Sequence, residues 1–294
     1  MTAQIATLLA APARADLQHA TVAALRDAWG GGEIRWLADG IAAEFALATA
    51  PASRWEDWAA LQSEGVDLVV QPAEGRRKRF LIADMDSTMI GQECIDELAD
   101  MAGVGARVSD ITARAMNGEL DFEGALTERV GLLKGLPETV IAQVLAERIT
   151  YTPGGRALLA TMKANGGYAA LVSGGFTAFT RAVGGHLGFD ETRANTLLVA
   201  DGHLTGEVAR PILGREAKMA ALTEISARLG IGHDQVIAVG DGANDLGMLG
   251  MAGTGVALHA KPAVAAQCEV RVNHGDLSAL LYIQGYAAQD FVTE

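Results

Sequence analysis

The chain has 294 residues, half of them hydrophobic, and carries a formal net charge of −13 from 23 Lys and Arg against 36 Asp and Glu. That composition excludes a disordered chain and leaves room for more than one domain, while the acidic balance disfavours a nucleic-acid backbone or an anionic membrane as partner. Cys94 and Cys268 are too few for a disulfide framework and read as small core residues; no apolar run reaches membrane-span length and the N-terminus lacks a signal-peptide pattern, so cytoplasmic residence is the default expectation.

Residues 1 to about 75 have a pattern of their own. An apolar run over Ile5–Leu9 precedes a helix-like stretch from Ala15 to Trp29. Two short strand-like runs, Glu33–Leu37 and Ala42–Leu47, flank the turn signal Asp39-Gly40. A helix over Arg54–Gln62 and a strand over Val66–Val70 complete a β-α-β-β-α-β order, which predicts a ferredoxin-like sandwich. Such a module resembles the small ACT-type domains that bind amino acids, and a dimerisation or packing role suits it equally. The charged stretch Pro72–Arg79 reads as a linker.

From Phe80 the pattern changes. The apolar run Phe80–Ala83 ends in Asp84 and Asp86, and residues i and i+2 share one strand face, so both carboxylates can address one ligand. A carboxylate there can attack phosphorus, its neighbour can handle the leaving-group proton, and both can help hold a hard divalent cation. Between Thr88 and Pro153 the periodicity predicts amphipathic helices over about 93–101, 107–116, 122–133 and 138–148, an insertion well placed to cover the strand end as a lid. Tyr168–Val172 leads into Ser173-Gly174-Gly175, residues 196–208 read as a hairpin, a helix over Glu216–Leu229 carries Lys218, and Val236–Val239 leads into Gly240-Asp241. Parallel strands bring their carboxyl ends to one edge, so these polar clusters converge. The six histidines, His186, His233 and His259 among them, have no metal-ligand spacing.

With DMDST at 84–88, SGG at 173–175, Lys218 and GDGAND at 240–245, the chain resembles the haloacid dehalogenase (HAD) superfamily of phosphotransferases. Glu93, Asp121–Glu123 and the run from Arg129 to Pro137 resemble the substrate-reading cap of its phosphoserine phosphatases, and roughly the last three quarters of the chain is covered. The resemblance implies an α/β fold: a HAD-like Rossmannoid parallel sheet over 76–294 with a helical cap inserted at about 91–152, behind the ferredoxin-like domain of residues 1–75. It implies Asp84 as nucleophile and Asp86 as acid/base. Mg²⁺ would be held by Asp84, the Asp86 backbone carbonyl and Asp241, with Asp245 orienting that shell.

Ser173, Gly174 and Lys218 would contact the phosphate and Asn244 the phosphate or a bound water, while Glu93 and Arg129 would bind a substrate ammonium and carboxylate. Met116 and Phe122 would line the same pocket or serve as core. The implied substrate is phosphoserine, hydrolysed through an aspartyl phosphate. A different small ester, such as phosphohomoserine or phosphoethanolamine, is the enzymatic alternative. An amino-acid sensor with a vestigial catalytic core is disfavoured, because every catalytic residue type is retained. No nucleic-acid or membrane partner is expected, and a homodimer through the N-terminal domain is one assembly that follows.

Overall fold

The computed structural model describes residues 3–116 and 119–292. The N-terminal part runs β1 (Gln4–Ala10), α1 (His19–Trp29), β2 (Arg35–Ala38), β3 (Ala42–Leu47), α2 (Arg54–Ser63) and β4 (Val66–Pro72). Its sheet has the order β2-β3-β1-β4 with every pairing antiparallel, the ferredoxin-like arrangement the sequence predicts. The first helix starts at His19 rather than Ala15. Ala15 has a left-handed φ of 46°, and the Leu17 N–H is held by the Gly40 carbonyl at 2.8 Å, so the chain cannot enter a helix there.

The second part holds β5 (Phe80–Ala83), the cap helices α3 (Cys94–Met101), α4 (Gly105–Met116), α5 (Phe122–Gly131) and α6 (Thr139–Glu147), then α7 (Gly155–Ala164), β6 (Tyr168–Phe176), α8 (Thr177–Leu187) and β7 (Glu191–Asn195). There follow the hairpin β8 (Leu197–Ala200) and β9 (His203–Val208), α9 (Arg215–Leu229), β10 (Val236–Gly240), α10 (Leu246–Met251), β11 (Thr254–Leu258), α11 (Pro262–Ala265), β12 (Val270–Val272) and α12 (Ala279–Ile283). Six strands form one parallel sheet in the order β12-β11-β10-β5-β6-β7. Successive side chains point to opposite faces. Accordingly Leu81, Ala83, Ile237 and Val239 enter one core, and Phe80, Ile82, Val236 and Ala238 enter another. Helices cover both faces, so each of these runs is apolar throughout. Chain order reverses between β5 and β10, which places the crevice for a ligand beyond their carboxyl ends, where Asp84 and Asp241 lie.

The N-terminal sheet uses the same alternation to join the two parts. Ala6, Leu8 and Ala10 pack with Val22, Phe45 and Leu61 in that domain's own core. Leu9, Leu37 and Val69 face the other way, into the core that contains Leu280, Leu281 and Ile283. Polar contacts fix the registration: Gln71 Nε2 donates to the Ile283 carbonyl at 2.7 Å, and Arg76 reaches both oxygens of buried Glu44 at 2.6 and 3.0 Å. The stretch 72–79 is therefore no loose linker. Arg77 stacks on Tyr286, and Lys78 binds Gln284 through its N–H and the Asp234 carbonyl through Nζ. Among the described residues, no helix is long and apolar enough to cross a membrane.

Candidate active site

Asp84 stands directly after β5, its N–H donating to the Val239 carbonyl at 3.0 Å, which ties it to the neighbouring strand end. Its Oδ1 receives the Met85 N–H at 2.8 Å and the Lys218 ammonium at 2.8 Å. Both donors fall on one oxygen, Oδ1. Lys218 also contacts Asp245 Oδ1 at 2.6 Å, and Asp245 Oδ2 accepts the Gly242 N–H at 3.0 Å. With Lys218 at 1% exposure and Asp245 at 0%, the ammonium is a buried strut between two carboxylates, not a solvated helix charge. Beyond Asp84 the chain folds sharply: the Met85 carbonyl accepts the N–H groups of Thr88, Met89 and Ile90, and Ser87 takes a left-handed φ of 53°. That bend aims Asp86 back over the strand end.

Asp86 Oδ1 accepts the Cys94 N–H at 3.3 Å. Its Oδ2 faces Gly175, where a Cβ would sit 2.7 Å away. Glycine there is a steric requirement of the Asp86 carboxylate. The SGG segment continues β6 as far as Phe176 instead of leaving it as a loop, since residues without side chains can stay extended beneath Asp86 and the cap residue Phe122. Gly175 N–H donates to Ser173 Oγ at 2.9 Å, so that amide is already engaged, while the Ser173 hydroxyl keeps its proton to give.

The cap closes the site. A cavity of about 410 Å³ is lined by Asp84, Asp86, Ser173 and Gly174 from below, by Asp241 and Asn244 at the side, and by Glu93, Phe122 and Arg129 above. Glu93 accepts the Ser87 hydroxyl at 2.8 Å. Helix α5 is started by Asp121, whose Oδ1 accepts the Gly124 N–H at 2.7 Å, and it carries Arg129 one face further on. Arg129 is half-buried, with Nε on the Ala125 carbonyl and Nη1 near Thr112, and no carboxylate pairs with it among the described residues. Asp84, Asp86, Glu93, Arg129, Ser173, Gly174, Asp241 and Asn244 all line this one cavity, and Lys218 lies in the wall beneath it. The side chain of Met116 lies outside the described residues. Phe122 does line the cavity.

The charges are unbalanced. Burial pushes the Asp86 carboxyl up to about 7, with Glu93 adding and the Cys94 N–H opposing. Burial pushes Asp241 up to about 6, helped by Asp245 and Glu93. Asp84 too is driven upward by burial, against the pull of Lys218. Burial opposes the Lys218 charge, yet Asp84 and Asp245 hold its pKa above the ordinary value. Carboxylate oxygens of Asp84, Asp241 and Asp245 lie within 4.8 Å of one another. An all-oxygen, electron-rich cluster short of positive charge suits a hard divalent cation. Asp245 already spends both oxygens on Lys218 and Gly242, so it serves better as the brace than as a ligand; Asp241 spends one, on Thr88 at 3.2 Å.

Two contributors escaped sequence reasoning. Asn195, at the end of β7, donates to the Gly174 and Leu213 carbonyls and accepts the Leu213 N–H at 2.7 Å, clamping SGG to the segment before α9. Thr88 holds Asp241 across the two loops. Thr88 was visible as part of DMDST; Asn195 had no signal at all.

The haloacid dehalogenase-like hydrolase profile matches residues 81–250, more than half of the chain. A phosphoserine phosphatase of Streptomyces coelicolor is 44% identical over 228 residues, which is 77% of this chain and 55% of that one. The chain thus spans about half the length of the first curated relatives it matches. The solved structure of a probable phosphoserine phosphatase from Vibrio cholerae superposes with a TM-score of 0.79 at 31% identity, over 98% of this chain and 88% of that one. A phosphoserine phosphatase solved as a phospho-aspartyl intermediate analogue gives 0.65 at 39% identity, over 70% and 98%. The motif geometry and the profile agree: the chain belongs to the haloacid dehalogenase-like hydrolases.

Proposed function

We propose that this hydrolase cleaves O-phospho-L-serine to L-serine and phosphate, the closing step of L-serine biosynthesis by the phosphorylated route, through an aspartyl phosphate on Asp84. The observation that carries it is the cavity roof. Glu93 and the unpaired fork of Arg129 stand above the phosphoryl-transfer groups, complementary to the ammonium and carboxylate of an amino acid. Support also comes from the relatives named as phosphoserine phosphatases.

In the first step Asp84 Oδ2 attacks phosphorus while Asp86, still protonated near neutrality, gives its proton to the departing serine oxygen. Asp86, now ionised, takes a proton from the water that attacks the aspartyl phosphate, which returns Asp84 and releases phosphate. Lys218 and the Ser173 hydroxyl stabilise the phosphoryl oxygens, with Gly174 and Asn244 positioning them. Asp84, the Asp86 backbone carbonyl and Asp241 would hold Mg²⁺, whose chemistry here is neutralisation of phosphoryl charge. We assign residues 1–75 to an N-terminal ACT-like domain and 76–294 to the phosphatase domain with its cap at about 91–152. With the sheet face of the N-terminal domain packed against α12, a homodimer would have to use its edges or helices. A cytoplasmic site of action fits a free metabolite as substrate.

Phosphate release from phosphoserine, phosphohomoserine and phosphoethanolamine, each with Mg²⁺ and with a chelator, tests the proposal. Phosphoserine is expected to lead by at least about tenfold in kcat/KM, a difference of about 1.4 kcal/mol. Chelation is expected to abolish turnover. A lead for either competing ester would reassign the substrate while keeping the chemistry.

A further inference from the structure

The cavity carries a second cation that this mechanism does not use. Lys261 lines it on the side of Asp241 and Asn244, is exposed, and has no ion pair or hydrogen bond for its ammonium among the described residues. The other cations have assigned roles: Lys218 braces Asp84 and Asp245, and Arg129 faces the substrate carboxylate in the proposed function. Five carboxylates, Asp84, Asp86, Glu93, Asp96 and Asp241, line the same space. A phosphomonoester brings about 1.5–2 further negative charges near neutrality. A cation at the mouth of such a cavity opposes that repulsion and favours capture of the anion.

Lys261 is held in place from outside the catalytic domain. Two residues before it, His259 adopts a left-handed φ of 47°, and its N–H donates to the Val272 carbonyl at 2.8 Å. His259 Nε2 meets the Gly275 carbonyl at 2.7 Å, and since a carbonyl only accepts, this nitrogen carries the proton. Gly275 and His274 N–H groups donate to Asp67 Oδ2, and Asn273 N–H donates to Asp67 Oδ1, all at 2.9 Å. Asp67 has 0% exposure and belongs to β4 of the N-terminal sheet. A carboxylate taking three backbone N–H groups fixes that loop firmly. Asp67, Gly275 and His259 thus form a continuous connection from the N-terminal domain to the segment that presents Lys261.

We propose that Lys261 is a substrate-phosphate contact at the cavity mouth, and that Asp67 is a positioning residue through which the N-terminal domain holds it there. The inference rests on the phosphomonoesterase assignment above but not on which ester is cleaved. Affinity for inorganic phosphate, measured by calorimetry on the intact chain with Mg²⁺, therefore tests it alongside kcat and KM for phosphoserine.

Lys261→Ala is expected to weaken phosphate binding and raise KM by about 3- to 10-fold, the range for a partly exposed pair with a multiply charged anion, with kcat within about twofold. Lys261→Arg should restore both. Asp67→Asn puts an amide donor against at least one of the loop N–H groups, so it should weaken phosphate binding by a similar factor, yet add nothing in the Lys261→Ala background. His259→Asn, which tolerates the left-handed backbone but is shorter, should behave the same way without touching the domain interface. Unchanged phosphate affinity in Lys261→Ala would overturn the contact. Equal losses from Asp67→Asn and His259→Asn in both backgrounds would overturn the connection and leave Asp67 a purely structural role. If wild type binds phosphate but leaves phosphoserine intact, the substrate assignment fails, and the phosphate affinities still decide the case of Lys261.

Discussion

The floor and the roof of the cavity are built in opposite ways. The floor comes from the loops that follow β5 and β10 together with the start of α9, and its groups are buried and mutually braced: Asp84, Lys218 and Asp245 form one ion-paired unit with no more than 5% exposure. The roof comes from helices of the inserted cap, and its Arg129 is half-buried with, among the described residues, only Ala125 and Thr112 for partners. A braced floor keeps the groups proposed to react at fixed geometry, which phosphoryl chemistry requires whatever the ester. A roof with unpaired charge waits for a ligand to complete it. Under the proposed function, chemistry is assigned to the floor and choice of substrate to the cap.

Damage to the floor should be severe and indifferent to substrate. Asp84→Asn, nearly isosteric but a poor nucleophile, is expected to remove turnover of every ester with thermal stability largely kept, and covalently trapped phosphate in wild type should map to Asp84. Label on Ser87 or Ser173 would contradict that. Lys218→Met should cost stability as well as activity, because it leaves Asp84 and Asp245 buried without their counter-ion; a loss of about 3–5 kcal/mol in denaturant unfolding is the expected scale. A variant as stable as wild type would mean the strut is dispensable.

Asp86→Asn should lower kcat by about 10²–10⁴-fold. The sign of its pH dependence follows from its role: the first step needs the proton, so kcat/KM should fall as pH rises through about 7, and the variant, unable to titrate there, should lose that limb. Gly175→Ala, placing a methyl 2.7 Å from Asp86 Oδ2, should produce a smaller loss of the same kind, on the order of 10²-fold, by moving the carboxylate. Unchanged kcat in Gly175→Ala would show that Asp86 tolerates displacement.

The floor was also the more legible part in the sequence. Phe80–Ala83 and Val236–Val239 are apolar throughout because both sheet faces are covered, and each run ends abruptly in aspartate. The cap helices followed from 3.6-residue periodicity to within a few residues. What stayed hidden lies in contacts between residues far apart in the chain. Nothing local to Lys218 says that it is buried, since its burial depends on Asp84 and Asp245 arriving from two other elements. Asn195 and Asp67 act on backbone groups 18 or more residues away, and such bonds leave no periodic trace. The edge strand β7, whose sequence Glu191-Thr-Arg-Ala-Asn195 is mostly polar, and the three-residue β12 carry too little apolar pattern to stand out. Arg129 could be placed on a helix, but not turned inward, by its sequence alone.

The division between floor and roof is tested most directly by Arg129→Ala assayed on two esters that differ in the group Arg129 is assigned to bind. Phosphoserine has a carboxylate and phosphoethanolamine lacks it. Losing one partner of a desolvated charge pair costs on the order of 2–5 kcal/mol, so kcat/KM for phosphoserine should drop roughly 30-fold to several-thousand-fold while phosphoethanolamine changes little. Equal losses on both esters, or none on either, would contradict the assignment of substrate choice to the cap.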